Sequence, residues 1–238
     1  MTFYSDWKEA RDSGRNDKVY FDAFLTKKKE SLTVLQRGTE KDIAEAVKML
    51  LSIPTDEFWR HIPRDVSREQ LSSKTIPQYS SLDNCIYKTP EILEFYEDGL
   101  GLQEIGRYLN GEKSEGAMVK YGENHAQTAE CFGLVCIKRG STHIVKLSPL
   151  GSYLNRSSSK EERYGVLCRM ILRELVIQVI IRGVLDDQHI SYNELVECLA
   201  QTTRYRRRTG VMQLTRIAFF DGVHDPLYDH IDWECTQK

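Results

Sequence analysis

The sequence has no apolar run long enough to cross a bilayer. Its longest apolar stretch, residues 175–181, is interrupted by Gln178 and followed at once by Arg182, whereas a membrane-spanning helix needs about 20 apolar residues. Residues 1–15 are rich in charge and lack the apolar stretch of a secretion signal. We therefore expect a cytoplasmic protein that does not enter a membrane.

The chain also has little net charge. Its 238 residues include 33 Lys and Arg against 35 Asp and Glu, which gives a formal charge of -2. This balance excludes a polycation that coats nucleic acid through bulk charge. Any nucleic-acid binding must therefore come from a local basic patch.

Motifs for metal binding, nucleotide binding and catalysis are absent as well. None of the six cysteines forms a C-x-x-C pair, and no G-x-x-x-x-G-K-[ST] phosphate loop occurs. We expect no metal, no cofactor and no catalytic residue of a known motif. A nuclease with an unrecognised active site in residues 1–80 stays open as an alternative.

Residues 42–51 carry apolar side chains at helical spacing, at Ile43, Val47 and Leu50, and Thr39 stands where a capping residue would. This period predicts an amphipathic helix. Together with shorter apolar segments it indicates an N-terminal helical region over residues 1–80.

Residues 85–158 hold the clearest pattern of elements. It predicts, in order, a helix with Thr89 as its N-cap and Pro90 as its first residue that ends at Asp98 and Gly99, and a helix over 102–109 that stops at Asn110-Gly111. A helix over 124–132 closed by Gly133, strands over 134–137 and 143–147, and a final helix from Ser148-Pro149 follow. Three helices, a two-stranded hairpin and a helix make one compact module.

The run YGENHAQTAECFGLV, followed by CIKRGSTHIVKLSPLGSYL, resembles winged helix-turn-helix domains of the kind found in restriction and phage-defence proteins. The resemblance implies that the third helix and the hairpin, or wing, contact double-stranded DNA. The residues in question stand at or before the first turns of that helix and at the tip of the hairpin: Lys120, Tyr121, Asn124, His125, Gln127, Thr128, Lys138 and Arg139.

These residue types suit DNA. Asn and Gln can pair with adenine, and Lys or Arg with guanine or a phosphate. The alternative is that Asn124 only caps the helix, while Lys138 and Arg139 only keep a turn in water.

Residues 159–222 repeat part of this plan. A helix is predicted over 161–181, another over 191–199 and a third over 203–219, which indicates a second winged-helix-like module. This third helix carries further candidate DNA contacts: Arg204, Arg206, Arg207 and Arg208. Residues 223–238 form an acidic tail, and the alternatives to DNA contact are that the arginines pair with this tail or bind a protein partner.

The sequence therefore predicts a mainly α protein with small β wings, made of an N-terminal helical region and two tandem winged-helix-like modules. The expected function is double-stranded DNA binding, as a transcription factor or as the DNA-recognition component of a restriction or phage-defence system. The alternative is a tandem winged-helix subunit of a chromosome-organising complex, which binds protein. A protein partner or a homodimer is compatible with both the DNA-binding function and the protein-binding alternative.

Overall fold

The computed structural model describes residues 3–26, 35, 37–71, 81, 83–156, 159–186, 190–191 and 231–232. The predicted helices over 191–199 and 203–219, the four arginines Arg204, Arg206, Arg207 and Arg208, and the acidic tail except residues 231–232 lie outside these ranges. No helix within them is both long and apolar enough to span a membrane.

The described chain is mainly helical, with two small sheets. The α-helices are α1 (Phe3–Asp12), α2 (Lys18–Leu25), α3 (Glu40–Ser52), α4 (Thr55–Arg60), α5 (Thr89–Leu93), α6 (Leu102–Asn110), α7 (Glu115–Cys131), α8 (Pro149–Arg156), α9 (Lys160–Ile171) and α10 (Leu175–Leu185). The strands are β1 (Leu100–Gly101), β2 (Val135–Lys138), β3 (Ile144–Leu147), β4 (Ile190–Ser191) and β5 (Ile231–Asp232).

The chain forms two compact units, each built from separate stretches of sequence. The first unit comprises Met1–Ser31, Met49–Pro77 and Lys160–Lys238, and the second comprises Leu32–Lys48 and Gln78–Ser159. The second unit thus contains the module predicted over 85–158, together with a segment from the N-terminal region.

An aromatic core holds the first unit together. Trp7, Phe21 and Phe58 are fully buried, and their rings meet edge to face with centroids 4.9 to 5.9 Å apart. Such contacts add to the stability that burial of the rings provides. In this way α1, α2 and α4 are joined by residues far apart in the sequence.

The prediction of a single helix over 161–181 is wrong, because the helix is interrupted at residues 172–174, between α9 and α10. The break allows the Arg173 guanidinium to donate to the Phe24 carbonyl at 2.9 Å. It also leaves the Leu172 carbonyl to accept from Gln178 Nε2 at 2.9 Å. Buried polar groups are as a rule hydrogen-bonded, and side chains supply these bonds where the helical ladder stops.

The helix predicted over 42–51 is confirmed as α3, with the predicted cap. Thr39 N–H donates to the Asp42 carboxylate at 2.9 Å, and Asp42 N–H donates to Thr39 Oγ1 at 3.3 Å. These reciprocal bonds satisfy two amides at the helix start. Hydrogen bonds from Thr39 also lower the pKa of Asp42.

In the second unit, α5 begins at Thr89, close to the predicted start, but Thr89 is not the N-cap of a new helix. A π-helical turn over Asn84–Lys88 runs directly into α5, and the Thr89 hydroxyl donates to the Asn84 carbonyl at 2.7 Å. Pro90 lacks an N–H for the i→i−4 bond, and a widened turn accommodates this loss. The helix ends at Leu93, earlier than predicted.

Helices α6 and α7 cross at van der Waals contact. A Cβ built on Gly106 would lie 1.9 Å from the Met118 carbonyl oxygen, and one built on Gly122 would lie 1.9 Å from the Leu102 carbonyl oxygen. Only glycine permits so close an approach of two backbones. This close crossing therefore fixes how α7 packs against α6.

The predicted start of the third helix at Asn124 is wrong. Helix α7 begins at Glu115, and Gly122 lies in its interior for the packing reason just given. Its predicted end is confirmed, since Gly133 follows with a φ of +72°, the left-handed conformation that closes many helices.

The predicted hairpin is confirmed as β2 and β3, paired antiparallel with Val135 opposite Leu147. A short strand that was not predicted, β1, pairs with the other edge of β3 and gives the order β1-β3-β2. Helix α8 then begins as predicted, because Ser148 Oγ accepts from Gly151 N–H at 2.8 Å.

Candidate nucleic-acid interface

One solvent-facing line of side chains runs along α7, which we call the outer stripe: Lys120, Glu123, Gln127 and Glu130. Lys120 is exposed and the other three are half-buried. Spacings of three and four residues place them on one face over about 15 Å. Glu123 accepts from Lys120 Nζ at 2.8 Å and from Gln127 Nε2 at 3.2 Å.

The hairpin loop, residues 139–143, continues this face. Every residue from Lys138 to His143 is exposed, and the segment contains a lysine and an arginine but no acidic residue. No carboxylate of the described residues pairs with Lys138. The hairpin thus presents a basic, accessible tip.

A paired Arg139 joins the loop to the outer stripe. Its Nη2 lies 2.6 Å from Glu130 Oε2, and its Nη1 lies 3.3 Å from Glu130 Oε1. Glu130 Oε1 also accepts from Ile137 N–H at 3.1 Å. The hydrogen bonds to Glu130 raise the pKa of Arg139, so the guanidinium stays charged.

Three of the predicted contacts face the protein interior instead. Asn124, His125 and Thr128 are 8%, 1% and 0% exposed. Buried side chains cannot reach a duplex, so these three are not part of the surface. Tyr121 is half-buried beside them, and its ring lies 4.2 Å from that of His125.

The inward side chains form a polar cluster with Asn84 of the π turn. Asn84 Nδ2 donates to the Tyr121 hydroxyl at 3.3 Å and lies 3.5 Å from His125 Nε2. His125 Nδ1 lies 2.7 Å from the Tyr121 carbonyl oxygen. The neutral ring with its proton on Nδ1 satisfies both contacts.

Burial lowers the pKa of His125, since the charged imidazolium loses its water. The same cluster contains the buried Asn124 Oδ1, which has no hydrogen-bond partner among the described residues. The hydrogen bonds of Asn84 to Tyr121 and His125 join α7 to the π turn.

Charged and polar groups make up the surface formed by the outer stripe and the hairpin loop. No group of three His, Cys, Asp or Glu side chains in the described ranges is arranged to hold a metal ion. The outer stripe and the loop together offer the ammonium groups of Lys120 and Lys138, the Arg139 guanidinium and the Gln127 amide. These groups suit phosphate oxygens and base edges.

Two residues of this face, Glu123 and Glu130, were not among the predicted site residues. Glu123 could have been found from its helical spacing to Lys120 and Gln127. Glu130 could not, because its contact with Arg139 depends on how the hairpin folds back against α7.

Comparison with known proteins gives no match: no family model fits the chain, no curated protein is similar to it, and no solved structure matches it.

Proposed function

We propose that the second unit is a winged-helix-like module that binds double-stranded DNA through the outer stripe of α7 and the hairpin loop. The observation that carries the proposal is the continuity of these two surfaces. The loop meets the end of the stripe through the Arg139–Glu130 pair, so a helix face and a basic hairpin tip form one surface.

The order of elements supports the same proposal. Helices α6 and α7 are joined by a short turn and followed by an antiparallel hairpin, and in helix-turn-helix proteins the second helix of such a pair enters the major groove. In this arrangement Lys120 and Gln127 would face the groove and Lys138 would lie along the flanking backbone, with Arg139 paired to Glu130 beside it.

The experiment that tests the proposal replaces Lys138 with Ala. One phosphate contact contributes about 0.9 to the slope of the logarithm of the binding constant against the logarithm of the salt concentration. Lys138→Ala should therefore flatten this slope by about 0.9 and weaken binding about eightfold at about 0.1 M salt, one decade below 1 M. Fluorescence anisotropy with a labelled duplex measures both quantities. Lys8→Ala, on the exposed side of α1 in the first unit, removes the same charge and should change neither.

A second candidate function, binding of a basic protein segment, is favoured by a different surface. Phe95 and Tyr108 are 83% and 55% exposed, although large aromatic side chains are usually covered. The exposed carboxylates Glu97, Asp98 and Glu104 stand near them in the sequence. Of these carboxylates Asp98 lies 3.9 Å from Lys146 Nζ. Exposed aromatic and acidic side chains suit a partner with apolar and basic side chains. Phe95→Ser should leave DNA affinity unchanged, which separates the two surfaces.

A further inference from the structure

We propose that Glu130 lowers the DNA affinity of the second unit by holding the loop arginine Arg139 away from phosphate. The inference rests on the proposed function, since it concerns regulation of the same surface. It makes Glu130 a positioning residue, because it acts through Arg139 without contacting DNA itself.

Glu130 binds the Arg139 guanidinium at two points. Both carboxylate oxygens take part: Oε2 lies 2.6 Å from Nη2 and Oε1 lies 3.3 Å from Nη1. Two-point arginine–carboxylate pairs are stronger than hydrogen bonds between neutral groups and fix the orientation of the guanidinium. An arginine held in this way must leave its carboxylate before it can bind a phosphate with the same two nitrogens.

The carboxylate is itself fixed in place, which makes the pair more persistent than a simple surface contact. Glu130 Oε1 also accepts from Ile137 N–H at 3.1 Å, and the Glu130 side chain is 28% exposed against 59% for Arg139. Glu130 therefore stays at the base of the hairpin even when Arg139 turns away. Its negative charge then faces any phosphate that Arg139 contacts.

Lys138 provides the internal comparison. It precedes Arg139 directly and is also exposed, yet no carboxylate of the described residues holds it. In the wild-type protein the hairpin tip should therefore supply one phosphate contact, from Lys138. Neutralising Glu130 should add a second contact, from Arg139.

The test replaces Glu130 with Gln, whose amide oxygen can still accept from Ile137 N–H and so preserves the hairpin. Anisotropy with a random-sequence duplex should give about eightfold tighter binding at about 0.1 M salt and a salt slope steeper by about 0.9, as expected for one added phosphate contact. Circular dichroism and the thermal midpoint check that the fold is retained.

Two further variants assign the effect to Arg139. Arg139→Ala should flatten the slope less than Lys138→Ala does in the wild-type protein, and it should abolish the gain when combined with Glu130→Gln. Asp22→Asn removes the same negative charge from an ion pair with Lys18 in the first unit, and it should leave the slope unchanged.

The outcomes separate this inference from the proposed function. If the wild-type protein binds DNA but Glu130→Gln binds equally or more weakly, the inference that Glu130 lowers DNA affinity is overturned, while the proposed function stands. If neither the wild-type protein nor Glu130→Gln binds a duplex, both are overturned.

Discussion

At the scale of single residues, the sorting of polar side chains on α7 decides which of them can meet a ligand. Lys120 and Gln127 lie on the outer face, whereas His125 and Asn124 lie on the inner face. All four are polar, so residue type alone could not separate them. The sorting follows from where α7 contacts the π turn, a contact that the local sequence pattern does not contain.

Because His125 is buried as the neutral ring, its protonation should destabilise the second unit. The folded-state pKa is lowered from the usual 6.5, so the unfolded chain takes up a proton first. Stability should therefore be constant above about pH 6.5 and should fall as the pH drops through the lower folded-state pKa. Urea unfolding at a series of pH values measures this loss.

The exposed His143 in the hairpin loop gives the matched control. The pH dependence should disappear in His125→Gln and persist in His143→Gln. The same pH dependence in both variants would assign the titration to another group.

At the scale of elements, helices and turns with local signals were predicted well. The cap at Thr39, the stop at Gly111 and the hairpin before Ser148 all depend on residues close to them in sequence. The errors occurred where a distant contact overrides local propensity. Glycine has a low helix propensity, so Gly122 argues locally against a helix. It nevertheless lies within α7, because the backbone of α6 is so close at this point that no side chain would fit.

The glycines of the α6–α7 crossing should be far less replaceable than Gly116, which also lies in α7. Gly106→Ala and Gly122→Ala each force a methyl group into a backbone carbonyl, and overpacking of this kind costs about 3 kcal/mol or more. A Cβ built on Gly116 would meet no atom within 4 Å. Gly116→Ala should therefore stabilise α7 by about 0.5 kcal/mol.

Chemical denaturation of the three variants compares these costs directly. Similar stabilities for Gly106→Ala and Gly116→Ala would show that the helices separate at little cost, and the close crossing would then not define the module.

At the scale of the whole molecule, the order of segments in the sequence is not the order of the compact units. The sequence suggests three consecutive parts, whereas Met1–Ser31, Met49–Pro77 and Lys160–Lys238 share one unit. The aromatic residues Trp7 and Phe58 are each typical of a buried core, but nothing local indicates that they meet. The mainly helical class was therefore predictable from the sequence, and the pairing of distant segments was not.

The near-neutral charge of the chain also makes its binding a local property. With a formal charge of -2, the whole molecule does not attract a polyanion, so affinity must arise from the outer stripe and the hairpin loop. The charge pattern of that surface is mixed, since Glu123 and Glu130 accompany its basic groups. Moderate, salt-sensitive affinity is the expected consequence.

The most direct test of DNA binding by the second unit is a salt titration of the full-length protein with a labelled random-sequence duplex, followed by fluorescence anisotropy. We expect micromolar or better affinity that falls at least about threefold between about 50 and 200 mM salt, the change expected for the one phosphate contact of Lys138. Absence of binding at the lowest salt would contradict the proposed function, and the exposed aromatic side chains Phe95 and Tyr108 would then become the leading candidates for a binding site.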